Sequence, residues 1–215
     1  MPGVFPTMIT PFTADGAIDW AGVDGLVEWY IASGVTGIFA VCQSSEMYFL
    51  SDDERLELAT RVHTKVAGRV TVVASGTFGG DVATQAEFVN KMAKIVDGVV
   101  ILTCQLSTAD ESDEVWLDRA KELLTLTDCP LGLYECPAPY KRLLTPEQLG
   151  WAAGTGRFRF HKDTHCEIAA ITAKIEATQA IEGTPFQFYN ANVETLQASQ
   201  RAGGFGFSGI SANLY

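Results

Sequence analysis

Short apolar runs rich in β-branched residues alternate along this chain with longer amphipathic ones. Val4 to Ile9 predicts a strand. Asp19 to Ser33 predicts a helix with Val23, Leu26, Val27 and Tyr30 on one face and Gly34 as its stop. Gly37 to Val41 is a second strand. Ser51 opens the next helix, and Glu54 three residues on completes a capping box, with Leu56, Ala59 and Val62 continuing the apolar stripe. Val70 to Ala74 is a third strand, followed by a helix from Asp81 to Lys94. Gly98 to Thr103 is a fourth, followed by a helix from Asp113 to Thr125. Pro130 to Tyr134 is a fifth, and Thr145-Pro146-Glu147-Gln148 starts the helix after it, with proline in the first turn. Phe158 to Lys162 with a helix from Glu167 to Gln179, Phe186 to Tyr189 with a helix from Val193 to Ala202, and Phe205 to Ile210 complete eight strands.

Strands apolar on both faces and separated by helices predict a covered parallel sheet. The repeat count favours a (β/α)8 TIM barrel as one domain over residues 1–215; a doubly wound open sheet is the alternative. The chain ends at Tyr215, just past strand eight, whereas barrels typically take about 250 residues. The expectation is therefore a barrel truncated after strand eight, without its eighth helix.

Composition narrows the function. The net charge is −11 with no basic cluster to relieve it, which argues against nucleic-acid and anionic-membrane partners. No apolar run is long enough to span a bilayer, and the opening Met1-Pro2-Gly3-Val4 is unlike a signal peptide. Five cysteines without a CxxC pair fit reduced thiols in a cytoplasmic protein.

In a barrel the chemistry sits at the C-terminal strand ends. Those ends offer Thr10-Pro11, Gln43-Ser44-Ser45-Glu46, Ser75-Gly76-Thr77, Tyr134-Glu135-Cys136-Pro137, Lys162-Asp163, Tyr189-Asn190 and Ser208-Gly209-Ile210-Ser211. Alternation puts Phe160 and Lys162 on one face and His161 and Asp163 on the other. If Phe160 points inward, Lys162 does too, and a desolvated lysine is a nucleophilic amine able to attack a carbonyl. A lysine paired with an acidic neighbour satisfies the same position. Tyr134 offers a phenol for proton transfer beside an iminium, or simply fills the barrel. Ser44 and Ser45 can donate hydrogen bonds to a carboxylate. Alternation separates His161 from the interior, so its nearness to His165 and Cys166 is not read as a metal site. Neither a metal nor a cofactor is expected.

The ordered combination resembles the dihydrodipicolinate synthase/N-acetylneuraminate lyase family. It comprises Thr10-Pro11-Phe12 with Gly16 and Asp19, Gly34-Val35-Thr36-Gly37, Ser44-Ser45-Glu46, Leu50-Ser51 with Glu54-Arg55, Tyr134 with Pro137, Lys162-Asp163, and Gly206-Phe207-Ser208-Gly209-Ile210-Ser211 with Asn213. The resemblance implies a (β/α)8 barrel with a C-terminal helical extension, absent here, and a homotetramer or other homo-oligomer. It implies a class I lyase or aldolase in which Lys162 forms a Schiff base with pyruvate or another 2-oxo acid, and an aldehyde-like partner is added or released. Tyr134 relays protons, one of Ser44 and Ser45 joins the relay, the pair binds the carboxylate, and Gly209 and Ile210 line the pocket together with Thr10. The implied catalytic set is Lys162, Tyr134 and Ser45, and the implied binding set is Ser44, Ser45, Thr10, Gly209 and Ile210.

The departures narrow this. The synthase usually has two threonines where Ser44 and Ser45 stand, and asparagine where Glu135 stands. It also has an arginine shortly after the proline; here Pro137 is followed by Ala138-Pro139, and Arg142 lies beyond. Its Pro-Tyr-Tyr segment is replaced by Cys104-Gln105-Leu106, so the tyrosine that a neighbouring subunit adds to the relay is lost. Tyr189-Asn190-Ala191-Asn192 departs from the family's glycine–aspartate pattern, which bears on sialic-acid specificity. The alternatives kept open are the synthase proper, a sugar-acid dehydratase using the same lysine, and a barrel that binds a 2-oxo acid without turnover.

Overall fold

The helices begin where short polar side chains can take up their free N–H groups. In the computed structural model, which describes residues 3–214, Asp19, Ser51, Asp81, Ser112 and Thr145 each accept from a backbone N–H three residues on. The helices α1 (Trp20–Ala32), α2 (Asp52–Val66), α3 (Val82–Met92), α4 (Asp113–Leu126) and α5 (Pro146–Gly154) follow from these caps. Ser51 with Glu54 and Thr145 with Gln148 form complete capping boxes. The last two helices are α6 (Ile168–Gln179) and α7 (Leu196–Arg201).

Between them run β1 (Gly3–Val4), β2 (Gly37–Val41), β3 (Thr71–Ser75), β4 (Gly98–Leu102), β5 (Leu131–Tyr134), β6 (Phe158–Asp163), β7 (Gln187–Asn190) and β8 (Gly206–Phe207). All pair in parallel, in the order β1-β8-β7-β6-β5-β4-β3-β2. The remaining seam closes through the extended residues after β1. Thr7 bridges Phe39, and the N–H groups of Phe39 and Met8 bond to Pro6 O at 3.0 Å and Phe39 O at 3.1 Å. The sheet is therefore a barrel and not the open alternative, and the element count follows the periodicity of the chain.

Three elements are shorter than the pattern predicts. β1 stops at Val4, because Pro6 has no N–H to continue the ladder, though the chain stays extended to Met8. β8 stops at Phe207, and Ile210–Asn213 wind into a 3-10 turn. α7 starts at Leu196 and not Val193, because Asn190 and Asn192 turn the chain first, their side-chain oxygens accepting from Asn192 N–H at 2.7 Å and Thr195 N–H at 3.1 Å. Gly206 is required where β8 meets β1: a Cβ there would lie 2.0 Å from Gly3 O.

Aromatic side chains fill the barrel. Phe160 packs against Phe5 at 5.4 Å, Tyr189 at 4.9 Å and Phe39 at 5.9 Å between ring centroids. This layer forms the floor on which the residues at the C-terminal mouth stand. No helix among the described residues is long and apolar enough to cross a membrane.

Candidate active site

Phe160 faces the interior, so the next inward position on β6 is Lys162. Its side chain is 5% exposed, with Nζ 4.1 Å from the Tyr134 ring centroid and 5.9 Å from that of Phe39. Among the described residues no carboxylate pairs with it. Burial lowers its pKa from 10.5 to about 8, against a smaller upward pull from Cys42 and Cys136. Aromatic faces stabilise the ammonium weakly and offer no proton acceptor, so an appreciable fraction is free amine near neutral pH.

Tyr134 lies beside Lys162 in the β5–β6 register. Its hydroxyl donates to Gln43 Oε1 over a long 3.5 Å, and burial pushes its pKa far above the usual phenol value. The two residues border a cavity of about 410 Å³ at the C-terminal mouth, also lined by Thr7, Gln43, Ser44, Pro137, Thr164, Cys166, Ala191, Asn192, Gly209 and Ile210. Among the described residues, Lys162 is the one charged residue of that lining.

The structure brings Lys162, Tyr134, Ser44, Gly209 and Ile210 together and leaves Ser45 and Thr10 out of the lining. Ser45 is wholly buried behind the 3-10 turn Gln43–Ser45. Its hydroxyl lies 2.7 Å from Met8 O and 2.8 Å from Ala40 O, and accepts from Cys42 N–H at 3.1 Å. Thr10 donates to Ser45 O at 2.9 Å. Both therefore hold the turn in place, while the side chains turned to the cavity there are Gln43 and Ser44. Ser44 donates to Thr7 Oγ1 at 3.2 Å, giving two hydroxyls on one wall.

The strand period reaches Thr7, Thr164 and Ala191, which lie two residues beyond the inward Phe5, Lys162 and Tyr189, whereas Gln43 sits in the 3-10 turn that follows a register shift in β2. Arg142 points elsewhere: it is 8% exposed, bonds to Asp113 at 2.8 Å, and donates to the carbonyls of Thr108, Glu111 and Ser112.

On the outward face of the same strand ends lies a buried charged cluster. Lys174, from α6, donates to Glu135 Oε1 at 2.6 Å and Asp163 Oδ2 at 2.7 Å. Burial works to raise the Asp163 pKa, but the His161 ring and the Lys174 ammonium hold it below the usual range. Glu135, His161 and Asp163 lie close enough to converge on one cation, and the two carboxylates meet the Lys174 ammonium.

Beside Tyr134 is a group of thiols. All five cysteines are free. Cys136 Sγ is 3.6 Å from Gln43 Oε1 and 3.7 Å from the Tyr48 hydroxyl. The Cys104 thiol lowers the Cys136 pKa, while its own is raised.

A larger cavity, about 750 Å³, opens at the opposite end among Phe5, Gly132, Phe160 and Tyr189. It lies beneath the aromatic floor, and of its two lining arginines Arg69 is paired with Glu28 at 2.8 Å and Arg159 is paired with no carboxylate among the described residues. The buried amine and the phenol are at the other mouth, where barrel chemistry resides.

Comparison with known proteins agrees with the geometry. The model of the dihydrodipicolinate synthetase family matches residues 1–215. The 4-hydroxy-tetrahydrodipicolinate synthase of Polynucleobacter asymbioticus is 26% identical over 212 residues, which is 99% of this chain and 68% of that protein. A prophage protein of the dihydrodipicolinic acid synthase family from E. coli K12, solved with pyruvate, superposes with a TM-score of 0.88 at 24% identity, covering 99% of this chain and 71% of that one. N-acetylneuraminate lyase from Mycoplasma synoviae gives 0.80 at 24% identity, covering 99% and 70%. The two structural likenesses speak for the fold.

Proposed function

The chain belongs to the dihydrodipicolinate synthetase family, and from that premise we propose that it is a Schiff-base lyase or aldolase in which Lys162 condenses with pyruvate or another 2-oxo acid. The observation that carries this is the Lys162 amine, buried at a cavity floor without a counter-ion and with its pKa lowered to about 8. The neutral amine attacks the C2 carbonyl carbon. The carbinolamine then loses water, its hydroxyl leaving with a proton delivered through Tyr134. The resulting iminium is an electron sink, so loss of a C3 proton leaves the C3–H pair as the C2=C3 bond of an enamine and returns the C=N pair to nitrogen. The enamine carbon adds to an aldehyde carbonyl, or the reverse cleavage releases one.

The hydroxyls of Ser44 and Thr7 take the 2-oxo acid's carboxylate in this reading, and Gly209 with Ile210 close the opposite side. The carboxylate and relay roles implied for Ser45 pass to its neighbours, because its own hydroxyl is engaged by backbone. Free thiols fit a reducing cytoplasm.

The test is borohydride reduction in the presence of pyruvate, followed by peptide mass mapping. The expected result is a reduced pyruvate adduct on the peptide containing Lys162, absent from Lys162→Met. No adduct with pyruvate or any of several other 2-oxo acids overturns the reading.

A further inference from the structure

The Schiff-base reading needs a group that exchanges protons with Tyr134, and Gln43 cannot be that group. Its amide oxygen accepts from the phenol but does not take up a proton near neutral pH. The same Gln43 oxygen is met by a second donor, the Cys136 thiol, at 3.6 Å. Phenol and thiol therefore converge on one acceptor. Cys136 is wholly buried, and its sulfur is 3.7 Å from the hydroxyl of Tyr48. Tyr48 is partly exposed and anchored by donation to Ala138 O at 2.5 Å. Cys104 donates to that same carbonyl at 3.3 Å, completing the surroundings of Cys136.

We propose that Cys136, which meets Tyr134 at the shared Gln43 acceptor and Tyr48 on its other side, is a proton-relay residue between the two phenols and thence solvent. This rests on the Schiff-base reading and deepens it. Cys136 is absent from the cavity lining, so it acts through Tyr134 and not on the substrate. When the iminium loses a C3 proton, the C3–H pair becomes the C2=C3 bond of the enamine and the C=N pair returns to nitrogen. The proton goes to the Tyr134 oxygen as the phenol's own proton turns from Gln43 Oε1 and passes to the Cys136 thiolate, which becomes a thiol. Protonation of the enamine runs the same transfers backwards, and Tyr48 exchanges the stored proton with water.

A thiol suits this position. Its ordinary pKa of about 8.5 lies below that of a phenol, so it is the easier group to ionise here. The titratable groups facing it are Tyr134, Tyr48, Cys104 and Lys162. The Cys104 thiol is the largest influence favouring the thiolate, the nearby Tyr48 and Tyr134 hydroxyls add to it, and burial opposes it.

The experiment separates imine formation from proton transfer. Pyruvate alone is incubated with the protein in deuterated buffer, and loss of its methyl proton signal is followed by NMR. Borohydride trapping is run in parallel. Wild type is expected to do both. Cys136→Ala should trap pyruvate to within about twofold of wild type but exchange its methyl protons about 10²-fold more slowly. Cys136→Ser, which keeps a hydroxyl proton, should recover part of the rate with its pH profile displaced upward. Tyr48→Phe keeps the ring and loses the hydroxyl, and should also slow exchange with trapping intact. If Cys136→Ala fails to fold, Tyr48→Phe decides alone. Exchange at the wild-type rate in either folded variant overturns the relay. Absence of trapping in wild type overturns the Schiff-base reading, and the relay falls with it.

Discussion

Glu135 and Asp163 share one counter-ion. Each directly follows a proposed catalytic residue, Tyr134 on β5 and Lys162 on β6, and each meets the ammonium of Lys174 at 2.6 and 2.7 Å. Because side chains alternate, the inward pair Tyr134 and Lys162 faces the cavity while the outward pair faces α6. Glu135 also accepts from the N–H groups of Leu144 at 2.8 Å and Thr164 at 3.0 Å. One helix side chain thus ties together two strand ends and the loops that leave them. The spacing between the two inward groups depends on an ion cluster that never touches the substrate.

Removing the ammonium should be costly, because it leaves two buried carboxylates facing each other. Lys174→Met is expected to lose about 3–5 kcal/mol of stability by urea denaturation. The triple variant Lys174→Met, Glu135→Gln, Asp163→Asn carries no buried charge at these positions and should recover a large part of that loss. A triple variant as unstable as the single one would show that packing of the lysine stem, and not its charge, is what matters.

Ser44 and Ser45 are adjacent and identical, yet their substitutions should separate cleanly. Ser44→Ala removes a cavity hydroxyl and leaves the fold alone. It should raise the pyruvate concentration needed for half-maximal trapping by about tenfold, the loss of roughly one charge-assisted hydrogen bond, with thermal stability unchanged. Ser45→Ala leaves the Cys42 N–H without its acceptor and should cost about 1–3 kcal/mol in denaturation, with half-maximal trapping unchanged in whatever fraction is folded. Reversal of the two results would return the binding role to Ser45.

The barrel was legible because each strand and helix carries its own period and punctuation. Gly37–Val41 matches the predicted strand to the residue, and the boxes at Ser51 and Thr145 start helices where their spacing places them. The ends of β1, β8 and α7 were less legible. They depend on Pro6, on a turn after Phe207 and on two asparagine side chains, all of which override an apolar run locally. At the site, Lys162 was readable from alternation with Phe160. The division between Ser44 and Ser45 is not legible, because a register shift in β2 and the 3-10 turn after it interrupt the alternation, and only the turn decides that Ser44 faces the cavity and Ser45 is buried. The Lys174 cluster was invisible, since Glu135, Asp163 and Lys174 meet only once β5, β6 and α6 are packed, and a lysine inside a helix ordinarily reads as a solvated one.

Lys162 should reveal its burial twice, in reactivity and in stability. Its folded pKa of about 8 lies below the ordinary 10.5 because burial disfavours the ammonium. The rate of pyruvate trapping should therefore rise with pH to a plateau with a midpoint near 8, provided borohydride is in excess. A midpoint near 10.5 would mean a solvated amine. The linkage has the matching sign. Below about pH 8 both states hold the proton, and the folded protein bears the full cost of a buried ammonium. Between about 8 and 10.5 the folded state loses its proton first, so this group's contribution to stability becomes less unfavourable as pH rises. The gap between 10.5 and about 8 corresponds to at most about 3 kcal/mol. Lys162→Met, which keeps the apolar stem and removes the charge, should thus be more stable than wild type at pH 7 by up to that amount, and the advantage should shrink as pH is raised towards 10. A variant that is less stable at pH 7, or whose advantage is independent of pH, would place the ammonium in contact with water and remove the physical basis for a nucleophile at this position.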